Sequence, residues 1–98
     1  MTPIQINEAI WLEEIEDKII RKHQVRPVEV EQALQNQPHI RFMERGHHPD
    51  EDLYAAFGQT DGGRYLAVYF ILKPANVALI ITARDMTDKE KRAYGKRE

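Results

Sequence analysis

The chain has no cysteine among its 98 residues. That excludes disulfide staples, thiolate metal sites and a cysteine nucleophile, and it leaves ordinary packing to hold the fold. There is no run near the roughly 18 apolar residues that a membrane-spanning helix needs. No basic start is followed by an apolar stretch and a small-residue cleavage site, so export is not expected and a cytoplasmic location is the expectation. Charge of one sign is scarce in excess. Fourteen basic against sixteen acidic side chains give a formal net charge of -2, which is not what bulk electrostatic binding of nucleic acid predicts. Any contact with RNA must be local.

What the sequence does contain is 42% hydrophobic and 31% charged residues, a mixture that fits a globular chain and neither a disordered nor a membrane-embedded one. Ninety-eight residues suffice for one domain with one core, so a single domain over 1–98 is expected. No repeat, low-complexity tract or linker divides it, and only the first few residues and the tail after Tyr94 should be weakly structured.

The first third carries helical periodicity. Trp11, Leu12, Ile15 and Ile19 recur at three- and four-residue steps, with Glu13, Glu14, Glu16 and Asp17 on the opposite side. Pro27 suits the first position of a second helix, whose Val30, Ala33 and Leu34 form a short stripe before Pro38 ends it. A helical layer over 5–37 results.

From His39 the period changes to two and the residues become strand formers. A short strand through Ile40, Phe42 and Glu44 breaks at Gly46-His47-His48-Pro49-Asp50; a second runs from Asp52 to Thr60, and Asp61-Gly62-Gly63 signals a hairpin. Tyr65 to Leu72 is apolar nearly throughout and belongs in mid-sheet, and Val77 to Arg84 makes the fourth strand. Thr87 with Glu90 three residues on is a capping box for a last helix. The expected fold class is α+β: two N-terminal helices, a four-stranded antiparallel meander over 39–84, and a short C-terminal helix over 87–95, with the helices covering one sheet face.

A turn at Lys73 to Asn76 pairs Leu72 with Val77, Phe70 with Leu79, Val68 with Ile81 and Leu66 with Ala83, an all-hydrocarbon face. The other face pairs Tyr69 with Ile80, Ala67 with Thr82 and Tyr65 with Arg84. Near Arg64, those guanidinium and phenol groups suit a phosphate and a stacked base; the plainer alternative pairs Arg84 with an acid and uses Tyr65 to cover the sheet.

Trp11, the Lys22-His23 pair, the hairpin Phe57-Gly58-Gln59-Thr60-Asp61-Gly62-Gly63-Arg64 and the closing Ile81-Thr82-Ala83-Arg84-Asp85-Met86-Thr87, with Lys91-Arg92 and Tyr94 behind it, together resemble the BrnT family. The resemblance spans almost the whole chain. Leu12, Ile15 and Ile19 stand where many members have an acid, a lysine and an asparagine, and Gln24 and Arg26 replace a glycine and a small polar residue. What it implies is a RelE-like fold and a ribonuclease toxin of a type II toxin-antitoxin system. Such a toxin cuts mRNA without a metal or other cofactor and is neutralised by a cognate antitoxin of ribbon-helix-helix type. Attack of the ribose 2′-hydroxyl on the adjacent phosphate needs a base, an acid and cations around the crowded phosphate.

On that reading Arg64 and Arg84 bind phosphate, Lys22 and His23 supply proton transfer or charge, and Tyr94 completes the catalytic set. Tyr65, Lys91 and Arg92 contact RNA. Each has a plainer role: His23 ends a buried stripe and can cap the helix, Lys22 is solvated, and the tail cations with Lys89, Lys91, Lys96 and Arg97 complement a helix C-terminus. His47 and His48 beside Asp50, Glu51 and Asp52 read as a solvated turn rather than a metal site, and Trp11 reads as core. The reading from a different class is a non-catalytic protein-binding module on the same fold.

Overall fold

The computed structural model describes residues 4–96; of the segments expected to be weakly structured, 1–3 and 97–98, Arg97 included, lie outside the described residues, while Gly95 ends a helix. In chain order the elements are β1 (Glu8–Ile10), α1 (Glu13–His23), α2 (Pro27–Gln35), β2 (His39–Glu44), β3 (Leu53–Gln59), β4 (Tyr65–Lys73), β5 (Val77–Asp85) and α3 (Asp88–Gly95). The strands form one sheet in the order β1-β5-β4-β3-β2.

The sheet corrects the expected four-stranded meander in two ways. It has five strands, and it is mixed, because residues 8–10, expected in the helical layer, pair parallel with β5 through Glu8 with Val77, Ala9 with Ala78 and Ile10 with Leu79. Without β1 the outer edge of β5 would present an unpaired row of N–H and C=O groups. Asn7 strengthens the junction, donating from its backbone N to the Asn76 carbonyl and from Nδ2 to the Ala75 carbonyl, both at 2.9 Å.

α1 carries Glu13, Glu14 and Glu16 in its first turn and Arg21, Lys22 and His23 in its last, which opposes each charge to the helix dipole. Gln24 closes it in a left-handed conformation at φ 54°, with its N–H on the Ile20 carbonyl. α2 starts at Pro27, where the missing N–H is no loss, and Glu29 turns back to accept from the Arg26 N–H at 3.0 Å. Both helices pack on one face of the sheet over Ile6, Ile19, Val25, Val30, Leu34, Leu66, Val68, Phe70 and Ile80. Trp11 precedes α1 and packs half-buried against this core, with its Nε1 buried and unpartnered among the described residues. Leu12, expected in the buried stripe, is 49% exposed.

The third helix is a second correction. α3 lies on the opposite face, where Tyr94 and Met86 bury Ala55, Phe57 and Ala67 in a smaller cluster. Its start is as read, with Thr87 Oγ1 accepting from the Glu90 N–H and a Glu90 oxygen accepting from the Thr87 N–H.

The β4–β5 register differs from the expected one. The turn uses only Pro74–Asn76, so Lys73 opposes Val77, Leu72 opposes Ala78 and Phe70 opposes Ile80. A bulge between Tyr69 and Phe70 then inserts one residue, and beyond it Tyr69 opposes Thr82, Val68 opposes Ala83, Ala67 opposes Arg84 and Leu66 opposes Asp85. Near the turn the β5 faces are therefore exchanged. Past the bulge they return to the expected sides, displaced by two residues.

Candidate functional site

Asp85 is the hub of the end of the sheet where α1, β4, β5 and α3 meet. Arg64, at the entry to β4, donates Nε to Asp85 Oδ1 at 2.7 Å and Nη2 to Oδ2 at 3.2 Å. Its Nη1 reaches the Gln24 carbonyl at 2.8 Å and Glu29 Oε1 at 3.2 Å, and Nη2 also reaches the His23 carbonyl at 3.1 Å. A guanidinium has five N–H donors, and these contacts occupy all five. Arg64 thus closes the C-terminus of α1 while tying it to α2 and β5. The bond from Arg64 holds Asp85 below the usual carboxylate range, with smaller contributions from the Lys91 and His23 side chains, both near enough to act on it. Glu29 is lowered as well, first by the Arg26 N–H and then by Arg64.

Arg84 points to the α3 side. Its guanidinium donates to Glu90 Oε1 at 2.7 Å and Oε2 at 2.9 Å, to the Tyr69 hydroxyl at 3.2 Å and to the Asp85 carbonyl at 3.1 Å. Its centre lies 5.6 Å from the Tyr69 ring centroid. Glu90 is driven down to about 2, mainly by the two Arg84 bonds and then by the Thr87 N–H, while Arg84 moves up. The expected side-by-side pair of Tyr65 and Arg84 is not formed: Arg84 opposes Ala67, and Tyr65 packs edge-on against Tyr94 with centroids 5.9 Å apart. Lys91 Nζ stands 5.8 Å from the Tyr65 ring centroid.

The residues named from sequence therefore fall into a connected neighbourhood with two outliers. Arg64 bonds Asp85, and the charges of His23 and Lys91 act on it; Lys91 adjoins Tyr65, which packs on Tyr94; Arg84 reaches the same place through the Asp85 carbonyl. Lys22 and Arg92 are exposed and make no hydrogen bond or ion pair among the described residues. His47 and His48 are exposed, and no group of three or more His, Asp or Glu among the described residues is placed to hold a metal.

Sequence reasoning missed four residues. Register aligns His39 with Phe57, Phe57 with Ala67 and Ala67 with Arg84, one continuous row across four strands on the α3 face. The next row on that face is Arg41, Ala55, Tyr69 and Thr82. His39, Arg41, Tyr69 and Glu90 are thus site-facing. The alternation His39-x-Arg41 was a visible signal, but its face could be assigned only after the strand order was known.

These features define a small α+β protein whose sheet end carries basic, acidic and aromatic side chains in contact. The family model for the "ribonuclease toxin, BrnT, of type II toxin-antitoxin system" matches residues 11–90, and the chain belongs to that family. A crystal structure of the Brucella abortus ribonuclease toxin BrnT is similar in fold, with a TM-score of 0.60 at 20% identity, over 83% of this chain and 97% of that one. A search of curated protein sequences gives no match. No helix among the described residues is long and apolar enough to cross a membrane.

Proposed function

We propose that this protein is a toxin that cleaves mRNA in the cytoplasm by attack of a ribose 2′-hydroxyl on the neighbouring phosphate, without a metal. A cognate antitoxin of ribbon-helix-helix type neutralises it. The fold is read as RelE-like and the chain as one domain. What supports the reading, beside family membership, is that Arg64 and Arg84 both bond Asp85 at the end of the sheet where Lys91 stands over Tyr65 and Tyr65 packs on Tyr94.

The roles follow from where each group stands. Arg84 makes its bonds through Nη1 and Nη2 and leaves Nε out of them, and its side chain is 31% exposed, so it meets the phosphate and stabilises charge on the equatorial oxygens. Arg64 has no donor left, so its part is to position: it fixes the last turn of α1, which carries Lys22 and His23. His23 takes the 2′-hydroxyl proton as the O2′–P bond forms. Lys22, Lys91 and Arg92 supply positive charge along the strand of RNA, and Tyr65 and Tyr94 offer faces on which a base stacks. As the P–O5′ bond breaks, the proton returns from the imidazolium to the 5′-oxygen, leaving a 2′,3′-cyclic phosphate and a 5′-hydroxyl.

The test is induced expression in bacteria alongside cleavage of single-stranded RNA by purified protein in excess chelator. Growth arrest and fragments ending in cyclic phosphate are expected, both lost in Arg84→Ala at unchanged secondary structure and restored to growth by coexpressed antitoxin. Neither arrest nor cleavage from the unmodified protein would end the enzyme reading.

A further inference from the structure

Between β2 and α3 lies a cleft of about 120 Å³, lined by His39, Arg41, Phe57, Glu90, Ala93 and Tyr94. Of its lining residues only Tyr94 has a role above, and the cleft adjoins the proposed site through Glu90, whose carboxylate also holds Arg84. Its lining is chemically specific. Phe57 and Tyr94 give aromatic walls, and both are nearly buried, so their positions are fixed by packing. Arg41 stands exposed on the edge strand and has no ion pair or hydrogen bond among the described residues. Glu90 adds an acceptor to the same lining: Oε1 already takes Arg84 Nη1 and the Thr87 N–H, whereas Oε2 takes only Arg84 Nη2 and retains a lone pair.

We propose that this cleft is a nucleobase pocket that selects guanine in the RNA. It rests on the ribonuclease reading and adds substrate preference to it. The cleft is of the size of a single planar base. Aromatic walls hold any base by stacking, which is worth about 1 to 3 kcal/mol per base and does not discriminate. Discrimination comes from the two polar groups. The Arg41 fork matches the O6 and N7 acceptors of guanine, while the N1–H and N2–H on its other edge face a carboxylate. Adenine places an N6 amino group where O6 should accept, and a pyrimidine has no N7. His39, at the rim beside Phe57 in the cross-sheet row, is left for the attached sugar-phosphate. Because Glu90 both lines the cleft and holds Arg84, a guanine seated here lies next to the guanidinium proposed to meet the phosphate.

The experiment is titration of isotope-labelled protein with each of the four nucleoside 5′-monophosphates, followed by amide shifts. Guanosine monophosphate should bind on the order of tenfold more tightly than the others, with shifts at Phe57 and Ala93, and Arg41→Ala should remove that margin. In parallel, cleavage sites on a mixed-sequence RNA should be enriched in guanine at one fixed position, and Arg41→Ala should flatten the enrichment. Guanine-selective binding without any RNA cleavage would keep the pocket and remove the ribonuclease reading. Cleavage with no base preference and four equal affinities would overturn the pocket and leave the ribonuclease reading standing. Shifts confined to residues outside the cleft would also overturn it.

Discussion

Arg84 on β5 and Glu90 on α3 face each other through two parallel N–H···O bonds of 2.7 and 2.9 Å, and with the Thr87 cap they are the polar link between the last strand and the last helix. Because the folded protein holds Glu90 near 2, below its ordinary 4.5, this link contributes its full stability above pH about 4.5 and loses it as pH falls toward 2. The side chains are 31% and 22% exposed, which limits the contribution to about 1 to 2 kcal/mol. Urea denaturation should show Glu90→Gln weaker than the unmodified protein by that amount at pH 7, with the gap closing between pH 4.5 and 2. A gap independent of pH would show that the ion pair is not its source.

Arg64 binds four partners on three elements, so its replacement has a different signature. Arg64→Lys keeps the charge but offers a compact ammonium in place of a planar fork and cannot reach the Asp85, Glu29, Gln24 and His23 oxygens together. The expected loss is about 1 to 3 kcal/mol, with amide exchange quickened in the last turn of α1. Retained stability and protection in Arg64→Lys would show that the fork geometry is unimportant.

Gly58 on β3 lies directly against the Ala33 carbonyl of α2, and a Cβ there would collide with that backbone oxygen. The helix would have to lift from the sheet over a buried stretch of Val30, Ala33 and Leu34. Gly58→Ala should therefore cost about 1 to 3 kcal/mol in thermal or chemical unfolding. A neutral result would mean that α2 can shift without loss of packing.

Lys22 offers the cleanest separation of function from folding, since it is exposed and makes no hydrogen bond or ion pair among the described residues. Lys22→Ala should leave stability within about 0.5 kcal/mol. RNA cleavage should fall by roughly tenfold, the effect of about 1.4 kcal/mol in the barrier, if its charge serves the reaction. Unchanged cleavage would remove Lys22 from the site.

Thr87→Ala removes the hydroxyl that accepts the Glu90 N–H and should cost about 1 kcal/mol. Since the same cap orients Glu90 toward Arg84, the double variant with Glu90→Gln should be less destabilised than the sum of the two. Strict additivity would show that cap and ion pair act independently.

Local signals in the sequence determined most of the elements of this protein. The helical stripe around Ile15 and Ile19, Pro27 at a helix start, the Asp61-Gly62-Gly63 hairpin and the Thr87–Glu90 box each carry their own short-range physics, and each lies where that physics puts it. The family resemblance was legible for the same reason, in residues fixed by spacing along the chain. Tertiary structure decided the rest. A three-residue strand at Glu8–Ile10 has too little periodicity to stand out, and it forms because the edge of β5 needs a partner. The side of the sheet that α3 covers depends on where Tyr94 and Met86 can bury apolar area, which no local pattern encodes. The shorter turn and the bulge beside Tyr69 together moved Arg84 from Tyr65 to Ala67, and strand order with its register brought His39 and Arg41 onto the face they share with it. Pairing across strands joins residues far apart in sequence, and one inserted residue redirects every side chain beyond it. The opening scarcity of net charge acquires a physical account here as well: Arg64 and Arg84 are each met by acidic partners within the fold, so the chain's cations are distributed between structure and site.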